Sequence, residues 1–165
     1  MLPGLRETVE KHGLLASKAL GQNFLLDRNI TDKIIRLSLN RQGLSSFAGS
    51  NVCEIGPGPG GLTRAVLEAA PASLTVIEMD PRCIAIMEEL KEQTNVPFRI
   101  VNGDALTFDL SREIEAPRQL VSNLPYNVSV PLLTGWLKQA GRHRKAGKCP
   151  LQHQRQRPQR AHPGG

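Results

Sequence analysis

Three short clusters and one isolated carboxylate hold residues whose types and spacing suit chemistry on a nucleoside. The first cluster, Glu54-Ile55-Gly56-Pro57-Gly58-Pro59-Gly60-Gly61, follows an apolar run and satisfies Gly-x-Gly-x-x-Gly through Gly56, Gly58 and Gly61. Such glycines let a backbone turn tightly and approach a nucleoside closely, a pattern that dinucleotide sites share. Pro57 and Pro59 remove two N–H donors that a pyrophosphate would use. A ligand without phosphates, such as S-adenosylmethionine, loses less from their absence. Glu78 ends a second apolar run, where a carboxylate accepts both ribose hydroxyls of an adenine nucleoside. That signal is common to nicotinamide and S-adenosylmethionine sites. Asp104, in Gly103-Asp104-Ala105, is placed to accept from an adenine amino group, although a lone Gly-Asp is more often a turn.

The last cluster is Asn123-Leu124-Pro125-Tyr126-Asn127. Pro125 biases Leu124 toward extended geometry, which projects the Leu124 carbonyl outward as an acceptor. Asn123 offers a second acceptor from its side chain. Two acceptors on an exocyclic amine aim its lone pair at an electrophilic methyl group. Tyr126, the only tyrosine in the chain, is suited to stack on the base, a contact worth roughly 1–3 kcal/mol. The competing readings are that Asn-x-Pro is a common turn and that a single Tyr usually packs. Cys53, Cys83 and Cys149 contain no Cys-x-x-Cys pair, and His12, His143, His153 and His162 lack ligand spacing, so neither a disulfide framework nor a metal site is expected.

The elements that must carry these residues alternate. Asn51–Ile55, Leu74–Ile77, Phe98–Val101 and Gln119–Ser122 read as strands. Between the first two, Leu62, Ala65, Val66 and Ala69 form the buried stripe of a helix. Asp80 followed by Pro81 starts another helix, with Cys83, Ile84, Met87 and Leu90 as its apolar face. Upstream, Asp27 caps a helix with Ile30, Ile34 and Leu37 spaced along one face and Ile35 beside them. A further helix is expected over Leu132–Lys138. Strands alternating with helices predict right-handed βαβ units, an α/β fold with a parallel, doubly wound sheet. One domain fits the 165 residues.

The net charge of +6 is unevenly placed. Residues 142–165 carry seven basic side chains and no acid, so the remainder is close to neutral. This stretch has almost nothing apolar beyond Leu151 and cannot join a core. The expected division is therefore residues 1–140 as a folded unit and 141–165 as a basic, disordered tail. The tail reads either as an RNA-binding extension or as sequence foreign to the fold, for example from a shifted reading frame. The abrupt change at Gly141 favours the second. No apolar run approaches the roughly 20 residues that cross a bilayer, and the amino terminus lacks a signal-peptide core, so a cytoplasmic protein is expected.

The series LGQNFL (20–25), EIGPGPGGLT (54–63), VIEMD (76–80), GDAL (103–106) and NLPYN (123–127) closely resembles the small-subunit ribosomal RNA adenine dimethyltransferases of the KsgA type. The resemblance covers roughly residues 12–138. It implies a Rossmann-like methyltransferase fold, S-adenosylmethionine as cofactor, and transfer of two methyl groups to N6 of adenosines in small-subunit ribosomal RNA. It implies cofactor contacts at Asn23, Leu25, Gly56, Glu78, Asp104 and Asn123, with Gln22 a weaker candidate, and a transfer site of Asn123, Leu124, Pro125 and Tyr126. The partner implied is small-subunit ribosomal RNA or the pre-ribosomal small subunit, engaged by a monomer without a metal. Family members continue with further strands and a small helical domain. An incomplete sheet of the first four strands is therefore expected here, with Gln119–Ser122 at its edge, and the leading reading divides into an active enzyme and an inactive fragment. Two alternatives stand beside this reading: a large-subunit adenine methyltransferase of the antibiotic-resistance type, and a non-catalytic RNA-binding or assembly module. A nicotinamide-dependent oxidoreductase is more distant, since it leaves NLPYN without a role.

Overall fold

The structure, a computed structural model, describes residues 4–14, 27–124 and 129–138. Its centre is strand β1 (Asn51–Ile55), buried except at half-buried Asn51. On one side β2 (Ser73–Glu78) runs parallel to it, with Asn51 opposite Ser73 and Ile55 opposite Ile77. On the other, β4 (Arg118–Ser122) is also parallel, with Asn51 opposite Arg118 and Ile55 opposite Ser122. β3 (Phe98–Asn102) pairs with β2, which gives the order β3-β2-β1-β4. Parallel pairing requires crossovers that place helices over the sheet, so central strands are apolar on both faces. Val52, Ile55, Leu74, Val76 and Ile77 are accordingly each no more than 3% exposed. The chain builds outward from β1 through β2 to β3 and then returns to the far side of β1, a topological switch point between β1 and β4.

Two cores lie on opposite faces. One gathers Val52, Leu74 and Val76 against α1 (Leu5–Lys11), α2 (Arg28–Arg41), α3 (Gly61–Glu68) and α4 (Pro81–Lys91). The other gathers Cys53, Ile55 and Ile77 with Ala105, Ile114 and Leu132, flanked by Phe108, Leu124 and Trp136. Residues 110–114 reach this face from α5 (Leu110–Glu113), and Leu132 and Trp136 from α6 (residues 129–138). Cys53 and Cys83 are buried, one in each core. Burial pushes the Cys53 thiol up to about 12, so it behaves as a small apolar side chain.

Helix starts follow local chemistry. Asp27 accepts from the Asn29 N–H at 2.8 Å, and Asp80 accepts from the Arg82 N–H at 2.9 Å with Pro81 in the first turn. In α3 the buried positions are Leu62, Thr63, Ala65, Val66 and Leu67, and half-buried Ala69 is the C-cap. In α4 they are Cys83, Ile86, Met87 and Leu90; Ile86, absent from the expected face, is fully buried, and Ile84 is only half-buried.

The face of α2 that carries Ile30, Ile34 and Leu37 is not the one that packs on the core. Ile30, Ile34 and Leu37 are 47%, 40% and 52% exposed, whereas Thr31, Ile35 and Leu39 are buried. The helix is apolar on two sides, and periodicity cannot choose between them. Packing against α3 does, with Arg28 reaching Glu68 at 2.7 Å across the pair. Two short helices were not anticipated in detail: α5, capped by Asp109 on the N–H groups of Ser111 (3.0 Å) and Arg112 (3.3 Å), and α1. α1 sits on α4 through Lys11 and His12, which reach Glu89 at 2.7 Å and 3.1 Å.

Candidate functional site

The carboxyl ends of the four strands bring the predicted residues onto one edge of the sheet. In the order β3, β2, β1, β4 they are Asp104, Glu78, the glycine-rich loop and Asn123. Adjacent strands are about 4.8 Å apart, so the row extends about 14 Å. That suits an elongated small molecule lying across the strand ends.

β1 leads directly into the loop. Gly56 at φ +61°, Gly58 at +55° and Gly60 at +85° occupy backbone space that side chains disfavour. Two of them are also crowded. A Cβ on Gly56 would lie 2.9 Å from Leu124 Cδ2, and one on Gly60 would lie 2.9 Å from both Leu90 and Met87 and 3.0 Å from Arg64 Nη1. The N–H groups of the loop point inward. Gly56 donates to Ile77 O at 2.9 Å, Gly60 to Pro57 O at 3.0 Å, and Gly58 to Glu78 Oε2 at 3.3 Å. With Pro57 and Pro59 lacking donors, residues 56–60 offer little to a phosphate, and the open N–H groups here are those of the first turn of α3.

Glu78 is held firmly. Besides Gly58, its Oε1 accepts from the N–H groups of Met79 (2.7 Å) and Asp80 (2.9 Å). Oε1 thus already accepts two donors, while Oε2, with Gly58 alone, retains capacity for a second donor such as a ribose hydroxyl. The Gly103 N–H donates to the Glu78 carbonyl at 3.1 Å, which ties the end of β3 to that of β2. Asp104 is exposed and shapes its own turn, with Oδ1 accepting from the Leu106 N–H at 2.8 Å. The turn reading and the site reading of Gly-Asp thus describe one geometry. Asp80 serves α4: the Arg82 side chain bonded to it holds its carboxyl below the usual range.

Asn123 is exposed just beyond β4, and Leu124 is half-buried against Gly56 and the second core. The backbone that offers the Leu124 carbonyl is therefore anchored on the loop itself. Gln22, Asn23, Leu25, Pro125 and Tyr126 lie outside the described residues. Among the described residues there is no cluster of three or more His, Cys, Asp or Glu suited to a metal, and no helix long and apolar enough to cross a membrane.

Two residues behind the loop escaped sequence reasoning. Glu54 on β1 is 1% exposed, and its Oε2 has no hydrogen-bond partner among the described residues. Burial pushes its carboxyl up to about 8, and the Thr63 hydroxyl offsets only part of that. An acid inside an otherwise apolar strand was the available signal. Arg64, in the first turn of α3, donates through Nη1 to the carbonyls of Pro59 and Gly60, both at 3.1 Å. Nothing in its sequence context marks it.

Comparison with known proteins identifies the family and the fold. The family model for ribosomal RNA adenine dimethylase matches residues 13–159, continuing past Gly141. The chain is 45% identical over 139 residues to ribosomal RNA small subunit methyltransferase A of Jannaschia sp. (strain CCS1), covering 84% of this chain and 46% of that one. It is 47% identical over 139 residues to the protein of that name from Paramagnetospirillum magneticum, covering 84% and 47%. The chain thus spans under half the length of these curated relatives. Among solved structures, the 23S rRNA methyltransferase ErmE superposes with a TM-score of 0.55 at 28% identity, over 71% of this chain and 43% of that one. An S-adenosylmethionine-dependent methyltransferase from Clostridium acetobutylicum shares the fold, with a TM-score of 0.56 at 12% identity over 81% and 52%.

Proposed function

Because the chain belongs to the ribosomal RNA adenine dimethylase family, we propose that its strand-end site binds S-adenosylmethionine and serves N6-dimethylation of adenosines in small-subunit ribosomal RNA. The observation that carries the cofactor assignment is the Glu78–Gly58 contact at 3.3 Å. It places a carboxylate against a loop in which Gly56 and Gly60 donate to backbone carbonyls. Acids line the row and the N–H groups of Gly56, Gly58 and Gly60 are already engaged, which suits a cationic nucleoside better than a pyrophosphate. When bound, S-adenosylmethionine supplies a methyl group already activated on a sulfonium.

The residues then divide the work. Glu78 accepts the ribose hydroxyls, Asp104 accepts from the adenine amino group, and Gly56 lets the backbone approach. Asn23 and Leu25 add contacts from the amino-terminal segment. Asn123 and the Leu124 carbonyl accept from the target amine, orient its lone pair, and stabilise the positive charge that develops on nitrogen. Pro125 keeps Leu124 extended, and Tyr126 stacks on the base. Orientation of this kind supplies about 7–11 kcal/mol of barrier reduction without any base or metal. The adenosine must leave its stack to reach these groups, which favours a loop or single-stranded target. Residues 1–140 constitute the amino-terminal part of the methyltransferase domain, with 141–165 a basic tail, and the protein works as a cytoplasmic monomer.

Calorimetric titration of the full chain with S-adenosylmethionine tests the reading. One-to-one binding is expected, weakened roughly 10- to 100-fold in Glu78→Ala, since hydrogen bonds to a charged acceptor contribute about 1.5–3 kcal/mol. Absence of binding, or affinity indifferent to Glu78, refutes it. The likeness to ErmE at 28% identity keeps a large-subunit target as the second reading. Methyl transfer to purified small rather than large subunits separates the two, and the 45–47% identity to small-subunit enzymes favours the first.

A further inference from the structure

Arg64 joins two parts of the molecule that the sequence keeps more than fifty residues apart. Its Nη1 bonds the carbonyls of Pro59 and Gly60 at 3.1 Å each, and its Nη2 bonds Thr8 Oγ1 at 3.2 Å. Thr8 is 3% exposed, and its hydroxyl in turn donates to the carbonyl of Gly4, the cap of α1, at 3.0 Å. Nη1 also lies 3.0 Å from where a Gly60 Cβ would stand, so the guanidinium is pressed against the bare face of that glycine. Burial lowers the pKa of Arg64. A cation withdrawn from water is tolerated where charge-assisted hydrogen bonds offset the loss, and here Nη1 and Nη2 bond the loop carbonyls and Thr8.

The consequences run in both directions. Toward the ligand, the Pro59–Gly60 peptide fixes the turn that presents the Gly58 N–H to Glu78 at 3.3 Å. Toward the amino terminus, α1 is a rigid lever. Val9 and Leu14 are 0% and 1% exposed in the core, and Lys11 and His12 are bonded to Glu89 on α4.

We propose that Arg64 is a positioning residue that couples the glycine-rich loop to α1 through Thr8, so that binding at the strand ends and the ordering of α1 are one event. This rests on the assignment of the loop to S-adenosylmethionine. The planar fork is essential to the role, because one group must satisfy two carbonyls and a hydroxyl at fixed angles, which a lysine ammonium on a flexible stem does not reproduce.

The test uses the full chain and S-adenosylmethionine itself, with Arg64→Lys and Thr8→Val. The second variant replaces the hydroxyl by a methyl group in a side chain of the same shape. Titration should show affinity reduced about tenfold in Arg64→Lys and three- to fivefold in Thr8→Val. Hydrogen exchange supplies a readout that a merely structural role would not move. Saturating S-adenosylmethionine should slow exchange of the α1 amides in the parent chain, and Thr8→Val should abolish that slowing although its α1 remains folded without ligand. Affinities within twofold of the parent, or an unchanged response of α1 in Thr8→Val, overturn the coupling while leaving the cofactor assignment intact. Failure of the parent chain to bind at all overturns both.

Discussion

Replacing Glu54 by Gln should flatten the dependence of stability on pH between about 4.5 and 8. Glu54 is fully enclosed behind the glycine-rich loop, and burial, reinforced by the nearby charge of Glu78, raises its carboxyl from 4.5 to about 8. In the unfolded chain the same carboxyl ionises above about 4.5, while in the folded protein it stays protonated until about 8. The native state therefore binds one more proton than the unfolded state throughout that window. Stability from this group is complete below pH 4.5, falls as pH rises, and is exhausted above about 8. Each pH unit corresponds to about 1.4 kcal/mol, so the whole window amounts to about 5 kcal/mol. That is comparable to the entire stability of a small domain, typically about 5–15 kcal/mol. Urea unfolding followed by the fluorescence of Trp136, the single tryptophan, reads this directly. Between pH 5.5 and 7.5 the parent chain should lose about 1.4 kcal/mol per unit more than Glu54→Gln. The slope is the diagnostic quantity, because the new amide brings donors of its own that shift the absolute level. Parallel curves for the two proteins would refute the argument.

Other expectations follow from the same geometry. Gly56→Ala places a Cβ 2.9 Å from Leu124 Cδ2 at a φ of +61°; the backbone alone costs about 1–2 kcal/mol. Trimming Leu124 to Ala in the same chain should recover the part due to the clash, as a double-mutant cycle in urea would show. Ala70, just past the C-cap of α3, has φ +52°, so Ala70→Gly should stabilise by about 0.5–1 kcal/mol after the entropy of glycine is allowed for. An unchanged or lowered melting midpoint would count against that reading of the helix end.

Much of this molecule was legible without coordinates. Asn51–Ile55 is a strand because it is short, apolar and followed by glycines. Asp80 starts a helix because it precedes proline. Glu78 and Asp104 fall at strand ends because the alternation of strands and helices puts them there. These are local properties, decided by neighbours within a few residues, and a sequence states them openly. The family motifs add the ligand that such an edge accommodates.

Other features depend on residues far apart in the chain. The sequence of α2 offers two apolar sides, and only contact with α3 selects Ile35 and Leu39 over Ile34 and Leu37 for the core. Glu54 looks like one more carboxylate until both faces of the sheet close around it and leave its charge without water. Gly56 could be read as a turn glycine, but its packing on Leu124 across sixty-eight positions of sequence is a tertiary fact. Arg64 meets Thr8 only because α1 folds back beneath the loop. Local backbone preference and hydrophobic period determined the elements; burial and long-range contact decided which of their side chains act together.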